Sequence, residues 1–329
     1  MSQAEWRPSA SRERLVQRAA LLARTRAFFA VRGVLEVDTP LIVNAPVSDV
    51  HIHSAEVSLV SPERSSAAGP ARHFLHTSPE YAMKRLLAWG SGDIFQICHV
   101  ARGLEVGRLH NPEFTLIEWY RIGLPLTRLM DEVEALVREL LGERAPAAAA
   151  ERLSYREVFG RALGLDPFTA PLQALAERAA TTGFHGGAST ARDEYLDALM
   201  SSVIGPALGR KGLSFIHSYP ASQAALARLD PQDAHAAQRF ELYGEGIELA
   251  NGFHELAAAG EQRARFELDN GARRHAGLPV HGLDERLLAA LEHGLPDCSG
   301  VAVGFDRVLM LATGAAHIDE VLAFPTSRA

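Results

Sequence analysis

The chain has 329 residues, 47% of them hydrophobic and 22% charged, which suits one large soluble enzyme domain or two ordinary ones. Its net charge of −7 argues against a protein that holds nucleic acid through bulk electrostatics, since phosphate affinity comes from clustered Lys and Arg. Cys98 and Cys298 lie too far apart for a disulfide framework or a zinc pair, no apolar run reaches membrane-spanning length, and Met1 to Arg14 lacks a signal-peptide core, so the expected compartment is the cytoplasm.

From Ser11 to Arg32 the sequence reads as a helix, with Leu15, Ala19, Leu22 and Phe29 near helical spacing and Gly33 as its stop. Val34 to Pro40 reads as a short strand closed by a proline. Residues 61–72, rich in Ser, Ala, Pro and Gly, read as a loop between strands. Ile94 to Cys98 is a short buried strand. Glu113 to Arg121 alternates, with Phe114, Leu116, Glu118 and Tyr120 on one face and Thr115, Ile117 and Trp119 on the other. A helix follows, capped by Thr127, buried through Leu129, Val133, Leu136, Val137 and Leu140, and ended by Gly142. Ala145 to Ala150 is a linker, and Leu153 to Leu229 reads as largely helical. Strands in hairpin-like pairs, separated by helical insertions and without an internal repeat, predict an α+β fold: an antiparallel β-sheet flanked by helices.

Three segments carry chemistry. Arg102 to Thr115 runs from a strand end through an arginine-bearing glycine loop into a return strand, and a guanidinium there can grip a phosphate in a fork that lysine cannot match. In Glu241 to Glu255, the carboxylates Glu241, Glu248 and Glu255 recur every seven residues among glycines and apolar neighbours. Such oxygen sites suit Mg²⁺, which takes one or two carboxylates together with substrate phosphates; glutamates flanking an edge hairpin are the plainer alternative. In Gly300 to Leu311 an apolar strand turns through Gly304 into a helix. That places Arg307 in the helix's first turn, where free N–H groups and the dipole already favour anions.

Together these segments resemble the signature motifs of class II aminoacyl-tRNA synthetases, with Gly33 to Pro40 as the dimer-forming first motif. Thr77-Ser78-Pro79-Glu80, His110 to Thr115, Glu118-Trp119-Tyr120 and Glu248 to Glu255 look like the lysyl-tRNA synthetase branch. Tyr219 to Ala224 and Pro296 to Ala302 are similar to the elongation factor P–(R)-β-lysine ligase family. The resemblance runs from about Ser11 to the C-terminus. It implies one class II catalytic domain over 11–329 behind a tail over 1–10, with no tRNA-reading domain before it.

The resemblance implies an enzyme that makes an aminoacyl-adenylate from ATP, with Mg²⁺, and passes the acyl group of (R)-β-lysine to a lysine ε-amine of elongation factor P. By position, Arg102 and Arg307 would be catalytic, and Arg102, Leu104, Asn111, Glu248, Leu249, Gly304 and Arg307 would hold ATP. Glu241 and Glu248 match the metal-binding carboxylates. Ser78, Pro79, Glu80, Glu118, Tyr120, Asn251, Glu255 and Ala302 match the substrate pocket, with Ala302 where lysyl-tRNA synthetases tend to have glycine. A homodimer is expected, and no stable nucleic-acid or membrane partner. One place departs: the second motif reads Arg-x-Glu, and here Leu104 stands at the glutamate, with Glu105 one residue later. Competing readings are a free-standing lysyl-tRNA synthetase-like domain acylating tRNA or another amine, and a non-catalytic paralogue sensing lysine or ATP. A metal hydrolase built on His51, His53, Cys98 and His99 lacks the spacing that would complete a zinc site.

Overall fold

A computed structural model describes residues 6–59, 72–187 and 190–329; the loop expected over 61–72 lies, but for Arg72, outside them. In chain order the first elements are α1 (Arg12–Ala30), β1 (Leu35–Glu36), β2 (Ile42–Val43), β3 (Glu56–Ser58), β4 (Arg72–Leu75), α2 (Glu80–Trp89), β5 (Ile94–Ala101) and β6 (Glu113–Ile122). Then come α3 (Leu126–Leu141), β7 (Glu151–Ser154), α4 (Tyr155–Leu163), α5 (Leu172–Ala180), α6 (Arg192–Leu199) and β8 (Leu213–Pro220). The last are β9 (Ala236–Gly244), β10 (Ile247–His254), α7 (Ala259–His275), α8 (Glu285–Gly294), β11 (Cys298–Gly304) and α9 (Phe305–Thr313). These elements form two compact units: Met1–Gly123, Ala257–Cys298 and Gly304–Ala329 make the first, and Leu124–Leu256 with Ser299–Val303 the second.

In the first unit β5 lies between β1, which pairs with it in parallel, and the antiparallel β6. A second small sheet runs β2-β4-β3. The β5–β6 register sorts the residues by face. Phe95 pairs with Trp119 and Ile97 with Ile117 on one face, while Gln96 pairs with Glu118 and Cys98 with Leu116 on the other. Helix α1 covers the apolar face: the Phe29 ring stacks on Phe95 at 4.3 Å and meets Trp119 edge-on at 5.2 Å. Its buried stripe is Leu21, Thr25, Phe28 and Phe29, so of the four apolar positions expected only Phe29 is fully buried and Ala19 is exposed. Ser11 caps the helix as its sequence suggests, accepting from Arg14 N at 3.2 Å. Ahead of it, Ser9 and Ala10 N–H groups donate to Ala323 and Leu322, which anchors the described start of the chain.

In the second unit the strands run β11-β10-β9-β8-β7, antiparallel except for the parallel β7–β8 pair. The β9–β10 hairpin turns through Glu245 and Gly246, both with positive φ (52° and 73°), the two-residue turn whose twist matches the strands it joins. One sheet face carries Phe215, Phe240, Leu242, Ala250, Val301 and Val303, all buried. Helix α3 presents Leu129, Val133, Leu136, Val137 and Leu140, as its periodicity predicts, but starts behind Pro125 rather than a Thr127 cap. Gly142 ends it. The stretch read as helical is only partly so. Helices α4–α6 build their own core with Tyr155, Phe159, Leu196 and Leu199, yet Leu213–Pro220 is a full strand. Its alternation is interrupted by a bulge between His217 and Tyr219, with Ser218 at φ 58°, which hides the period of two.

Candidate active site

The polar face of β5–β6 carries a carboxylate cluster. Glu118 is buried on β6, and its oxygens accept hydrogen bonds from Ser78 Oγ and Tyr120 OH, each at 2.7 Å. Two residues apart on one strand, Glu118 and Tyr120 point the same way, which the alternation required. The segment Thr77-Ser78-Pro79 leads into α2. Ser78 Oγ also accepts from Glu80 N at 3.0 Å, and Glu80 pairs with Lys84 one turn on at 2.7 Å. Lys84 is only 1% exposed, so its ammonium belongs to the cluster and not to the surface. Burial, with the neighbouring Glu80 charge, pushes the Glu118 carboxyl up to about 7, against the pull of Ser78, Tyr120 and Lys84.

Beside it runs the loop from Arg102 to His110. Arg102 N donates to Pro112 O at the start of the return strand. Its guanidinium lies over the Phe114 ring at 5.2 Å and donates to Thr77 O at 3.3 Å, next to the Ser78 cluster. Helix α9 begins at Gly304 and brings Arg307 in from the other side. Arg307 donates to Leu109 O at 3.4 Å and meets His110 Nε2 at 2.7 Å. Burial and the Arg307 and Arg102 charges hold His110 below its usual range, the neutral state that can accept from a guanidinium. The start of α9 is fixed from behind by buried Asp306, which accepts from Thr115 N at 2.7 Å and is paired with Arg18 of α1. Asn111 uses both ends of its amide on the backbone, Nδ2 to Glu113 O at 2.6 Å and Oδ1 from Thr326 N at 3.0 Å. Leu104 stands 83% exposed at φ 67°, a conformation leucine rarely adopts, while the Glu105 charge acts on His110.

The second unit holds the other carboxylates. Across the β9–β10 pair Asn251 faces Glu241 and Glu248 faces Tyr243, and β11 sets Ala302 opposite Asn251, so Glu241, Glu248, Asn251 and Ala302 share one face. Glu241 is clamped by Arg239 Nη2 at 2.5 Å and Tyr243 OH at 2.7 Å. Arg239 is itself held by Gln223 O at 2.7 Å and lies over the Tyr219 ring at 4.4 Å. The stretch Tyr219 to Ala224 is thereby the strut behind a carboxylate. Burial and Glu241 drive the Tyr243 phenol well above its usual range, so it donates and never competes as an anion. Leu249 sits buried at the register shift between Glu248 and Ala250, and Glu255 is buried at the end of β10. Asn251 Oδ1 has no hydrogen-bond partner among the described residues.

The model for class II tRNA synthetases (D, K and N) matches residues 2–328. The elongation factor P–(R)-β-lysine ligases of Yersinia enterocolitica and Vibrio cholerae are each 48% identical to this chain, over 99% and 100% of both chains respectively. That of Klebsiella pneumoniae is 49% identical over 99% of both. The chain belongs to this ligase family within the class II synthetases. The α+β class with helix-flanked antiparallel sheet, expected from the strand pairs, holds.

Set against the family motifs, the first unit brings together Ser78, Glu80, Glu118 and Tyr120, with Pro79 as the residue before α2, and joins Arg102 to that cluster through Thr77. Arg307, in the first turn of the helix that Gly304 caps, meets the far arm of the same loop. The second unit brings together Glu241, Glu248, Asn251 and Ala302. Sequence reasoning missed Lys84, Gln96, His110, Arg239 and Tyr243. Lys84 had a signal, since it follows Glu80 by one helical turn in an apolar run. Among the described residues no group of three His, Cys, Asp or Glu has the arrangement of a metal site. His99 instead pairs with Glu113 at 2.5 Å.

Proposed function

We propose that this ligase activates (R)-β-lysine with ATP and transfers it to a lysine ε-amine of elongation factor P. The observation that carries the reading is identity of about half over the full length of ligases bearing that name. The buried Glu80–Lys84–Glu118 cluster suits it, since a diamino acid needs buried acceptors and an analogue lacking one ammonium would leave a carboxylate unpaired.

In the first step a carboxylate oxygen of the amino acid attacks the α-phosphorus of ATP, the acyl–phosphate bond forms, and pyrophosphate leaves. In the second the acceptor amine attacks the acyl carbon, AMP leaves with the bonding pair, and the amine loses a proton. Little acid–base help is needed; holding carboxylate against phosphorus and balancing charge supply most of the rate. We assign the charge balance to Arg102 and Arg307, and the grip on the substrate to Ser78, Glu80, Glu118, Tyr120, Asn251 and Glu255. Leu104, Asn111, Leu249 and Gly304 line the nucleotide, Asn111 by shaping the return strand. Glu241 and Glu248, on one face and diagonal across the hairpin, form the sparse carboxylate set that suits Mg²⁺ held jointly with phosphates. Bound there, the ion would neutralise charge on the departing pyrophosphate. To Ala302, the cross-strand partner of Asn251, we assign a share in preferring the β- over the α-isomer.

The test is intact-mass measurement of elongation factor P after incubation with enzyme, Mg²⁺-ATP and each lysine isomer. One lysyl unit is gained with (R)-β-lysine, and much less with α-lysine. In pyrophosphate exchange, Glu248→Gln loses most activity, and Ala302→Gly gains α-lysine activation by up to about tenfold, the reach of a single methyl. An unmodified acceptor alongside charged tRNA would overturn the assignment.

A further inference from the structure

The face of β5–β6 that bears Glu118 carries a second polar side chain no motif assigns. Gln96 is the cross-strand partner of Glu118, so the two side chains stand roughly 4.5–5.5 Å apart at Cβ. It is 1% exposed, and neither its amide oxygen nor its nitrogen has a hydrogen-bond partner of normal geometry among the described residues. Its one polar neighbour on the strand is the Cys98 thiol, toward whose sulfur the amide N–H is directed. Sulfur is a weak acceptor, and that contact leaves the amide oxygen with nothing. A buried amide without partners is costly, and an apolar residue of the same length would fill this place at no such cost. The position is therefore explained by something that arrives.

We propose that Gln96 is a substrate-contacting residue, its amide oxygen accepting a hydrogen bond from an ammonium of the diamino-acid substrate beside Glu118. The inference rests on the reaction proposed above and adds to it the residue that completes the ammonium's shell. The charges fit. With Glu118 ionised, Glu80, Lys84 and Glu118 sum to −1, the complement of one ammonium. That ammonium has three N–H donors, and a third acceptor carrying a further charge would leave the filled pocket negative. A neutral amide supplies the acceptor and leaves the charge balanced.

Pyrophosphate exchange and thermal melting of the full-length enzyme test this with Gln96→Met, which keeps the length and removes the polar atoms, and Gln96→Asn, which withdraws the acceptor by one methylene. The Met variant raises KM for (R)-β-lysine roughly ten- to a hundredfold, the range for a hydrogen bond to a charged group, and leaves KM for ATP unchanged. Without substrate it melts at or above the wild-type temperature, while the rise in melting temperature on adding (R)-β-lysine shrinks. The Asn variant moves the same way by less and serves alone should Met fail to fold. Unchanged KM for the amino acid in either folded variant overturns the assignment. So does a fall in substrate-free melting temperature with both KM values moving together, which marks a packing role. Wild-type enzyme that exchanges with no diamino acid overturns the underlying reading instead.

Discussion

Glu118 is a buried carboxylate whose fold-given hydrogen bonds do not outweigh its loss of water and its proximity to Glu80, so it titrates near 7 in place of about 4.5. The sign of the consequence follows. Between those values the folded protein keeps a proton that the unfolded chain has lost, so stability declines as pH rises from about 4.5 through 7, by on the order of 3 kcal/mol in all. Binding runs the other way, because only the ionised carboxylate pairs with an ammonium. Denaturant unfolding at pH 5 and pH 8 should thus show wild type losing stability relative to Glu118→Gln, while Kd for (R)-β-lysine tightens up to pH 7 and then levels. A wild-type curve parallel to that of the Gln variant would remove Glu118 as the titrating group. This residue was legible in the sequence, because alternation along Glu113–Arg121 put Glu118 and Tyr120 on one face. Gln96 was not, and Lys84 showed only its spacing from Glu80, since the burial of both is set by strands and helices distant in sequence. A short apolar strand with one glutamine, or a helix with one lysine, reads as ordinary. Leu104 was legible only as a departure; its positive φ and exposure are facts of the loop's path.

At the level of elements, β10 shows how little freedom the second unit leaves. A Cβ on Gly252 would lie 2.5 Å from Phe240 Cζ and 3.0 Å from Gly300 O. Phe240 has no room to yield, being buried against Phe215 at 5.6 Å. Glycine at this place lets two neighbouring strands close over an aromatic ring, with Asn251 and Phe253 aimed to the opposite face. Gly252→Ala should therefore destabilise the protein by roughly 1–3 kcal/mol, the cost of overpacking a filled core. Chemical denaturation measures this, and a change within about 0.5 kcal/mol would mean that the strands shift freely. Alternation made β6 readable in advance, as did the period of α3. The starts of helices were harder. Ser11 caps α1, but α3 begins at Pro125, where no side chain caps and fixed φ alone favours the turn. Strand β8 was lost among helices because a bulge breaks its alternation.

Over the whole molecule, the chain passes between its two units four times, and the second unit takes back only Ser299–Val303 from the C-terminal part. Neither unit is a single stretch of sequence, which is why composition showed no boundary and one family match spans both. The surface of the first unit also has an uneven spot. Val31, Leu35, Leu41 and Ile42 are 80%, 55%, 44% and 39% exposed, all within twelve residues around the first motif. Scattered exposed apolar residues are ordinary, but a cluster beside a two-residue edge strand presents both apolar area and unpaired backbone groups. A second copy of the chain related by a twofold axis would cover both at once, since such an interface sets the same patch against itself. We therefore expect a dimer at micromolar concentration, and a monomer for Val31→Glu combined with Leu35→Glu. Each glutamate would cost little on a free surface, within about 0.5 kcal/mol, yet would face its own copy across the twofold. Sedimentation equilibrium reads the mass directly. The melting temperature of wild type should rise with protein concentration, and that of the variant should not. A wild type that sediments as a monomer at the highest concentration reached, or a double variant that stays dimeric, would place the subunit contact elsewhere or nowhere.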